Sequence, residues 1–143
     1  MTTLLWFRRD LRLADNPALD AAVAIGRPVI PVYICDDADA GKWSPCGASR
    51  WWLQGSLSAL SSAIEARGNR LILKNGPAES VINELLSETG VTSVYWNRRY
   101  EPWATRRDEK IKTALKGKGI EARSFNAGLL REPWAVTTQK GKP

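Results

Sequence analysis

The feature that most limits what this chain can fold into is a regular alternation. Five short apolar runs lie near residues 3–7, 29–35, 70–74, 92–96 and 120–125. Four longer amphipathic segments separate them, near 17–25, 48–66, 78–89 and 101–116. Short runs rich in β-branched and aromatic residues read as strands, and apolar residues recurring at three and four read as helices. Leu53, Leu57, Leu60 and Ile64 keep that spacing in the second helix, and Val81, Ile82, Leu85 and Leu86 turn inward in the third. The run Val29-Ile30-Pro31-Val32-Tyr33-Ile34-Cys35 is apolar on both faces, as a central parallel strand is, although Pro31 cannot donate a ladder bond. Asn16 or Asp15 serves as cap to a first helix that opens with Pro17. The pattern predicts an α/β fold: a doubly wound, five-stranded parallel sheet in a Rossmann-like three-layer sandwich, with right-handed crossovers.

Composition narrows the chemistry. The 143 residues form one domain with enough apolar content, 43%, for a core. No apolar run reaches membrane-span length, and the start carries no secretory signal, so the expected location is cytoplasmic. There is no histidine, which excludes catalysis built on imidazole and removes the commonest metal ligand. Cys35 and Cys46 form no CxxC, and both are expected as thiols. The formal charge is +6, and residues 97–123 hold nine Lys or Arg against four acids. That segment is a solvated helix face or an attraction for an anionic ligand or nucleic acid. Within it Asp108 and Lys112, four apart, are expected to form an exposed ion pair. Neither a G-x-G-x-x-G nor a G-x-x-x-x-G-K-[ST] phosphate loop is present.

In an open parallel sheet the ligand crevice lies beyond the carboxyl ends of the strands. Three loops fall there: one with Arg8, Arg9 and Asp10, one with Cys35, Asp36 and Asp37, and one with Asn97, Arg98, Arg99 and Glu101. Arg50 and Trp51, at the start of the second helix, close over the same space. Aromatic walls with a few fixed charges suit a flat heteroaromatic ligand. Each residue also has a plainer role. Trp6 and Trp96 fit a core, Arg8, Arg9 and Asp10 can brace one another, Glu101 can cap the fourth helix, and Cys35 can be a small buried hydrophobe.

Three motifs resemble the amino-terminal part of the DNA photolyase and cryptochrome family. The first is Trp6-Phe7-Arg8-Arg9-Asp10-Leu11-Arg12 followed by Asp15-Asn16-Pro17-Ala18-Leu19. The second is Ser49-Arg50-Trp51-Trp52-Leu53-Gln54-Gly55-Ser56-Leu57, and the third is Tyr95-Trp96-Asn97-Arg98-Arg99-Tyr100-Glu101-Pro102 with Arg107-Asp108. The resemblance implies that residues 1–130 are the α/β antenna domain and 131–143 the start of an interdomain linker. The helical domain that holds the catalytic FAD is then absent. It also implies an antenna pigment: methenyltetrahydrofolate, 8-hydroxydeazaflavin or a flavin. The deazaflavin-type pocket maps by position onto Arg8, Arg9, Asp10, Cys35, Asp36, Arg50, Trp51, Asn97, Arg99 and Glu101. Folate-binding relatives carry an Asn-Glu pair where this chain has Trp103 and Ala104, and deazaflavin binders often carry an acid where it has Arg99. The resemblance leaves this chain no catalytic residue of its own. In the full-length protein FAD repairs pyrimidine dimers under blue light, as a lyase, or drives signalling. Expected partners are the FAD-binding helical domain, DNA only through the full-length protein, and another copy through an exposed docking face. The competing expectations are an independent nucleotide-binding α/β enzyme and a basic nucleic-acid-binding module.

Overall fold

A computed structural model describes residues 1–37 and 40–136. The chain runs β1 (Thr3–Phe7), α1 (Pro17–Ala24), β2 (Val29–Cys35), α2 (Gly47–Glu65), β3 (Ile72–Asn75), α3 (Ala78–Thr89), β4 (Ser93–Asn97), α4 (Pro102–Gly117) and β5 (Glu121–Phe125), with single 3-10 turns at Gly41–Trp43 and Pro133–Ala135. The five strands form one sheet in the order β3-β2-β1-β4-β5, and every pair is parallel. The predicted fold class is thus the observed one. The order reverses between β1 and β4, and that reversal opens a crevice where the two strands end.

Side-chain alternation along the strands makes two cores. Leu4 and Trp6 of β1, with Val94 and Trp96 of β4, face α3 and α4 and pack with Ile82, Leu85, Ile111 and Leu115. Leu5, Phe7 and Tyr95 face the other way and pack with Ala18 and Ala22 of α1 and Leu60 and Ile64 of α2. Trp6 and Trp96 are both 1% exposed, with ring centroids 6.1 Å apart, so both belong to the core, although Trp6 also borders the cleft described below.

Pro31 is accommodated by register. It lies opposite Leu5 of β1, while the ladder between β2 and β3 begins one residue later, at Val32 opposite Ile72. The strand has a neighbour on one side only at that point, where a missing donor is tolerated. Asn16, not Asp15, caps α1: its Oδ1 accepts from Leu19 N at 3.2 Å, and Pro17 follows at the first helical position. Gly90 ends α3 with φ +62°, a left-handed turn that glycine takes without a Cβ penalty.

Two expectations change. Only Leu60 and Ile64 of the second helix are buried, while Leu53 and Leu57 are half-buried and Trp51 and Trp52 lie open to solvent. The first half of α2 overhangs the carboxyl-end crevice, which Ser49, Trp52, Leu53 and Ser56 line. Asp108 makes no exposed pair with Lys112; it is buried and binds Arg8 and Arg107, while Lys112 reaches Ser124 Oγ. The reason is helical phase, since Ala104, Arg107, Asp108, Ile111 and Leu115 share the buried stripe of α4. Beyond β5 the chain is strapped back by polar bonds and an aromatic contact. Arg98 and Tyr100 both bond Glu132, and Tyr100 packs on Trp134, while Leu130 is fully exposed. Of the expected linker at 131–143, residues 131–136 are described and 137–143 lie outside the described residues.

Candidate functional site

Two loops meet at the strand-order reversal, and a buried polar knot joins them. Asp10 Oδ1 accepts from Arg8 N at 2.9 Å, turning the chain sharply after β1. Asp10 Oδ2 accepts from Asn97 Nδ2 at 2.6 Å, and Asn97 Nδ2 also reaches Asn16 Oδ1 at 2.7 Å. Asn97 Oδ1 in turn accepts from Ala18 N at 3.1 Å, so β4 helps cap α1. Asp10, Asn16 and Asn97 are all buried.

An ionic chain lies beside the knot. Arg8 donates to Asp108 and to the carbonyl of Asn97. Arg107 donates to Asp108 Oδ1 at 2.9 Å and to Asp36 Oδ2 at 3.2 Å. Asp36 Oδ2 also accepts from Ala78 N at 3.1 Å, capping α3 in place of Pro77, which makes no side-chain cap bond. Arg107 is stacked between the rings of Trp6 and Trp103, at 5.0 and 5.1 Å. Burial pushes the Arg8 guanidinium below its ordinary value, and the charge of Asp108 opposes that shift.

Above this floor is a cleft of about 630 Å³. Trp6, Arg8, Arg9 and Arg12 form one wall from β1 and its loop, and Tyr33, Asp36 and Asp37 form another from β2. Ser49, Trp52 and Ser56 of α2 overhang it, and Arg99, Trp103 and Arg107 close the β4–α4 side. The volume and the mixture of aromatic faces with convergent polar groups are those of a small-molecule site. Among the described buried atoms, Asp36 Oδ1 and Trp6 Nε1 have no hydrogen-bond partner, an acceptor and a donor in the same region. Burial, followed by the charges of Cys35 and Asp37, raises Tyr33 to about 12, so its phenol stays protonated. A flat heterocycle with polar edges fits these residues. A second cleft of about 620 Å³ between α1 and α2 is lined mainly by apolar residues such as Leu5, Leu19, Val23 and Ile64, with Asp20 and Arg67 as its charged residues.

Four of the ten residues expected at the site form cleft walls: Arg8, Arg9, Asp36 and Arg99. Asp10 and Asn97 are braces behind the wall. Glu101 makes no side-chain cap bond to α4; it holds Arg9 at 2.9 Å and Arg99 at 2.9 Å, tying the two loops at the mouth. Arg50 turns to Asp37 at 2.9 Å, and neither it, Trp51 nor the half-buried Cys35 lines the cleft. Tyr33, Trp52, Trp103 and Arg107 line it without having been anticipated. The phase of α4 carried the signal for Arg107. Trp52 had none, because the direction of an exposed helical residue depends on where its helix docks. Among the described residues no cluster of His, Cys, Asp and Glu could hold a metal, and no helix is long and apolar enough to cross a membrane.

Glu101 also predicts an acid response. Burial alone would raise its pKa, but hydrogen bonds from Arg99 and its own backbone N–H, and the charges of Arg99 and Arg9, lower it from 4.5 to about 2. The stabilisation is therefore present above the ordinary carboxylate range and fades as the pH falls from about 4.5 to about 2. Urea midpoints measured from pH 6 to pH 2 should fall less steeply over that window in Glu101→Gln than in the native chain. Parallel curves would refute the assignment.

The aromatic, arginine-walled cleft lies at the switch point of an open parallel α/β domain, and known proteins share this architecture. The family model described as DNA photolyase matches residues 3–143. The chain belongs to the DNA photolyase family. It is 49% identical over 140 residues to a deoxyribodipyrimidine photo-lyase of Agrobacterium fabrum, covering 98% of this chain and 29% of that protein. It is 43% identical over 143 residues to cryptochrome-1 of Arabidopsis thaliana, covering 99% of this chain and 21% of that one. A crystal structure of a class III photolyase from Agrobacterium tumefaciens superposes with TM-score 0.91 at 48% identity, covering 99% of this chain and 29% of that one. A photolyase from Sulfolobus tokodaii, solved with two FAD molecules, gives TM-score 0.73 at 30% identity, covering 88% and 29%. The chain spans less than a third of the length of these relatives.

Proposed function

We propose that this chain is the light-harvesting, antenna-pigment-binding domain of a deoxyribodipyrimidine photolyase, with no lyase activity by itself. The observation that carries the reading is the cleft at the β1–β4 reversal, with Trp52, Trp103 and Tyr33 as aromatic surfaces and five arginines around them. A bound pigment, whether a folate, a deazaflavin or a flavin, would supply near-ultraviolet or blue absorption. The chain would supply a fixed orientation through the polar knot and the ionic floor, since dipole coupling to a distant acceptor depends on angle. FAD chemistry, contact with DNA and dimer repair would belong to a helical domain outside residues 1–143, with residues from about 131 leading toward it. The Sulfolobus relative was solved with two FAD molecules, which supports a flavin among the pigments.

Titration of the purified chain with methenyltetrahydrofolate, 8-hydroxydeazaflavin and FMN tests this. A pigment at a free concentration of about 100 Kd stabilises the folded state by about 2.7 kcal/mol, which for a domain of this size raises Tm by about 5–10 °C. Trp52→Ala should weaken the same pigment while leaving the unliganded Tm close to native, because that indole is 72% exposed. No shift with any of the three at saturation would overturn the reading. Light-driven repair of dimers by this chain alone would overturn its second half.

A further inference from the structure

The geometry points to a second binding site, in the groove between α1 and α2, for a single-chain amphiphilic carboxylate of the fatty-acid class. The apolar body of such a molecule lies in the groove and its head at the end where Arg67 stands. No residue lines both this groove and the pigment cleft, so the two assignments stand or fall separately.

The groove follows from the composition of α1. Four of its eight residues are alanine, and side chains this small leave space between the helix and α2. The floor is the sheet itself, with Leu5 and Phe7 of β1, both 1% exposed, and Pro31 of β2. Val23 and Ala24 of α1 and Ile64 of α2 form the sides. A volume of about 620 Å³ with an apolar lining and a few polar groups is that of a small-molecule site.

The groove carries opposite charges toward its two ends. Both helices run back from the carboxyl edge of the sheet to its amino edge. Asp20 lies in the first turn of α1, toward the carboxyl edge. Arg67 and Asn69 follow α2, at the amino edge, and both line the groove. Arg67 donates from Nη1 to the Ala63 carbonyl at 2.8 Å, and its other N–H groups have no partner among the described residues. Asn69 Nδ2 donates to the Val29 carbonyl at 2.9 Å, which fastens the loop after α2 to the start of β2. Arg70 in that loop and Arg27 just before β2 also have side chains without a partner among the described residues. Residues 25–28 and 66–71 contain no acid. A carboxylate head is therefore drawn to the amino-edge end, where guanidinium N–H groups can bind it, and repelled by Asp20 at the other.

The shape selects a single chain over larger occupants. Among the lining residues Val23, at 59%, is the only large apolar side chain exposed. One protruding valine is too little apolar surface to enter a bilayer or to hold a second copy, whereas a narrow chain reaches the floor.

Calorimetric titration of the native chain with octanoate, decanoate and dodecanoate, each below its micelle concentration, tests this. One site per chain is expected, tightening by up to about four-fold per added methylene. Dodecyltrimethylammonium has the same tail and the opposite head, and should bind at least about ten-fold more weakly at low salt. Arg67→Gln with Arg70→Gln should remove most of that preference. Ala24→Phe should fill the groove and abolish dodecanoate binding, with the unliganded Tm close to native because Ala24 is exposed. Equal affinity for the two heads, full affinity in Ala24→Phe, or several sites per chain would overturn the proposal. So would binding to phosphatidylglycerol vesicles without affinity for monomeric dodecanoate, or a native dimer that Ala24→Phe splits, since a bilayer or a second copy would then fill the groove.

Discussion

Asp108→Ala is expected to lower the stability of the chain by about 3–5 kcal/mol, the cost of breaking a buried ion pair by removing one partner. The carboxylate lies between two buried guanidiniums, Arg8 and Arg107, and accepts hydrogen bonds from both. Without it Arg8 keeps only the carbonyl of Asn97, and its Nε already lacks a partner. Arg107 keeps Asp36 but loses one of the two carboxylates that fix it between the two tryptophan rings. A loss of this size is a large part of the 5–15 kcal/mol that holds a typical domain together. Asp108→Asn retains shape and part of the hydrogen bonding and should cost less. The double variant Arg8→Met, Asp108→Leu should recover much of the loss, because it removes the stranded charge along with its partner. Urea unfolding of the three variants measures the coupling. A single-variant loss below about 1 kcal/mol would place Asp108 with exposed pairs and refute the buried ionic floor.

Asn97→Ala is the second large effect, at about 2–4 kcal/mol, the sum expected for a lost helix cap and two stranded buried polar groups. One side chain bonds Asp10, Asn16 and the first turn of α1. Its loss leaves the Asp10 carboxylate with Arg8 N and a 3.3 Å contact to Asn16. Asn97→Asp preserves volume but sets a second acid against Asp10, so it should not rescue. Because the loop carrying Arg8 and Arg9 hangs from this knot, Asn97→Ala should also weaken pigment binding although Asn97 does not line the cleft. Denaturant midpoint and pigment affinity should fall together. A destabilised variant with native affinity would show that the knot supports the fold and not the site.

The difference between these residues and the strands marks how far the sequence could be read. Strand–helix alternation, the double-sided apolar character of β2 and the helix start at Asn16-Pro17 were all legible, because period and capping are local properties of the chain. That the motif stretches after β1 and β4 share one edge was legible because parallel strands deliver their loops there. Their individual roles were not. Asp36, Asp10 and Glu101 looked alike as acids in carboxyl-end loops. The fold made the first a cap for α3, the second a brace for the turn after β1, and the third a clamp for two arginines.

The sequence by itself determined the sheet, its layers and the edge at which a ligand would sit, since these follow from hydrophobic period and the handedness of crossovers. Only the tertiary structure decided which charges are buried and with whom. Asp108 is one residue from Arg107, a hundred from Arg8 and 72 from Asp36, and an ionic chain across such separations exists only once α4 has packed beneath β1 and β2. Trp52 rather than Trp51 overhangs the cleft for the same kind of reason: the anchoring of α2 at Leu60 and Ile64 sets the rotation of its free end.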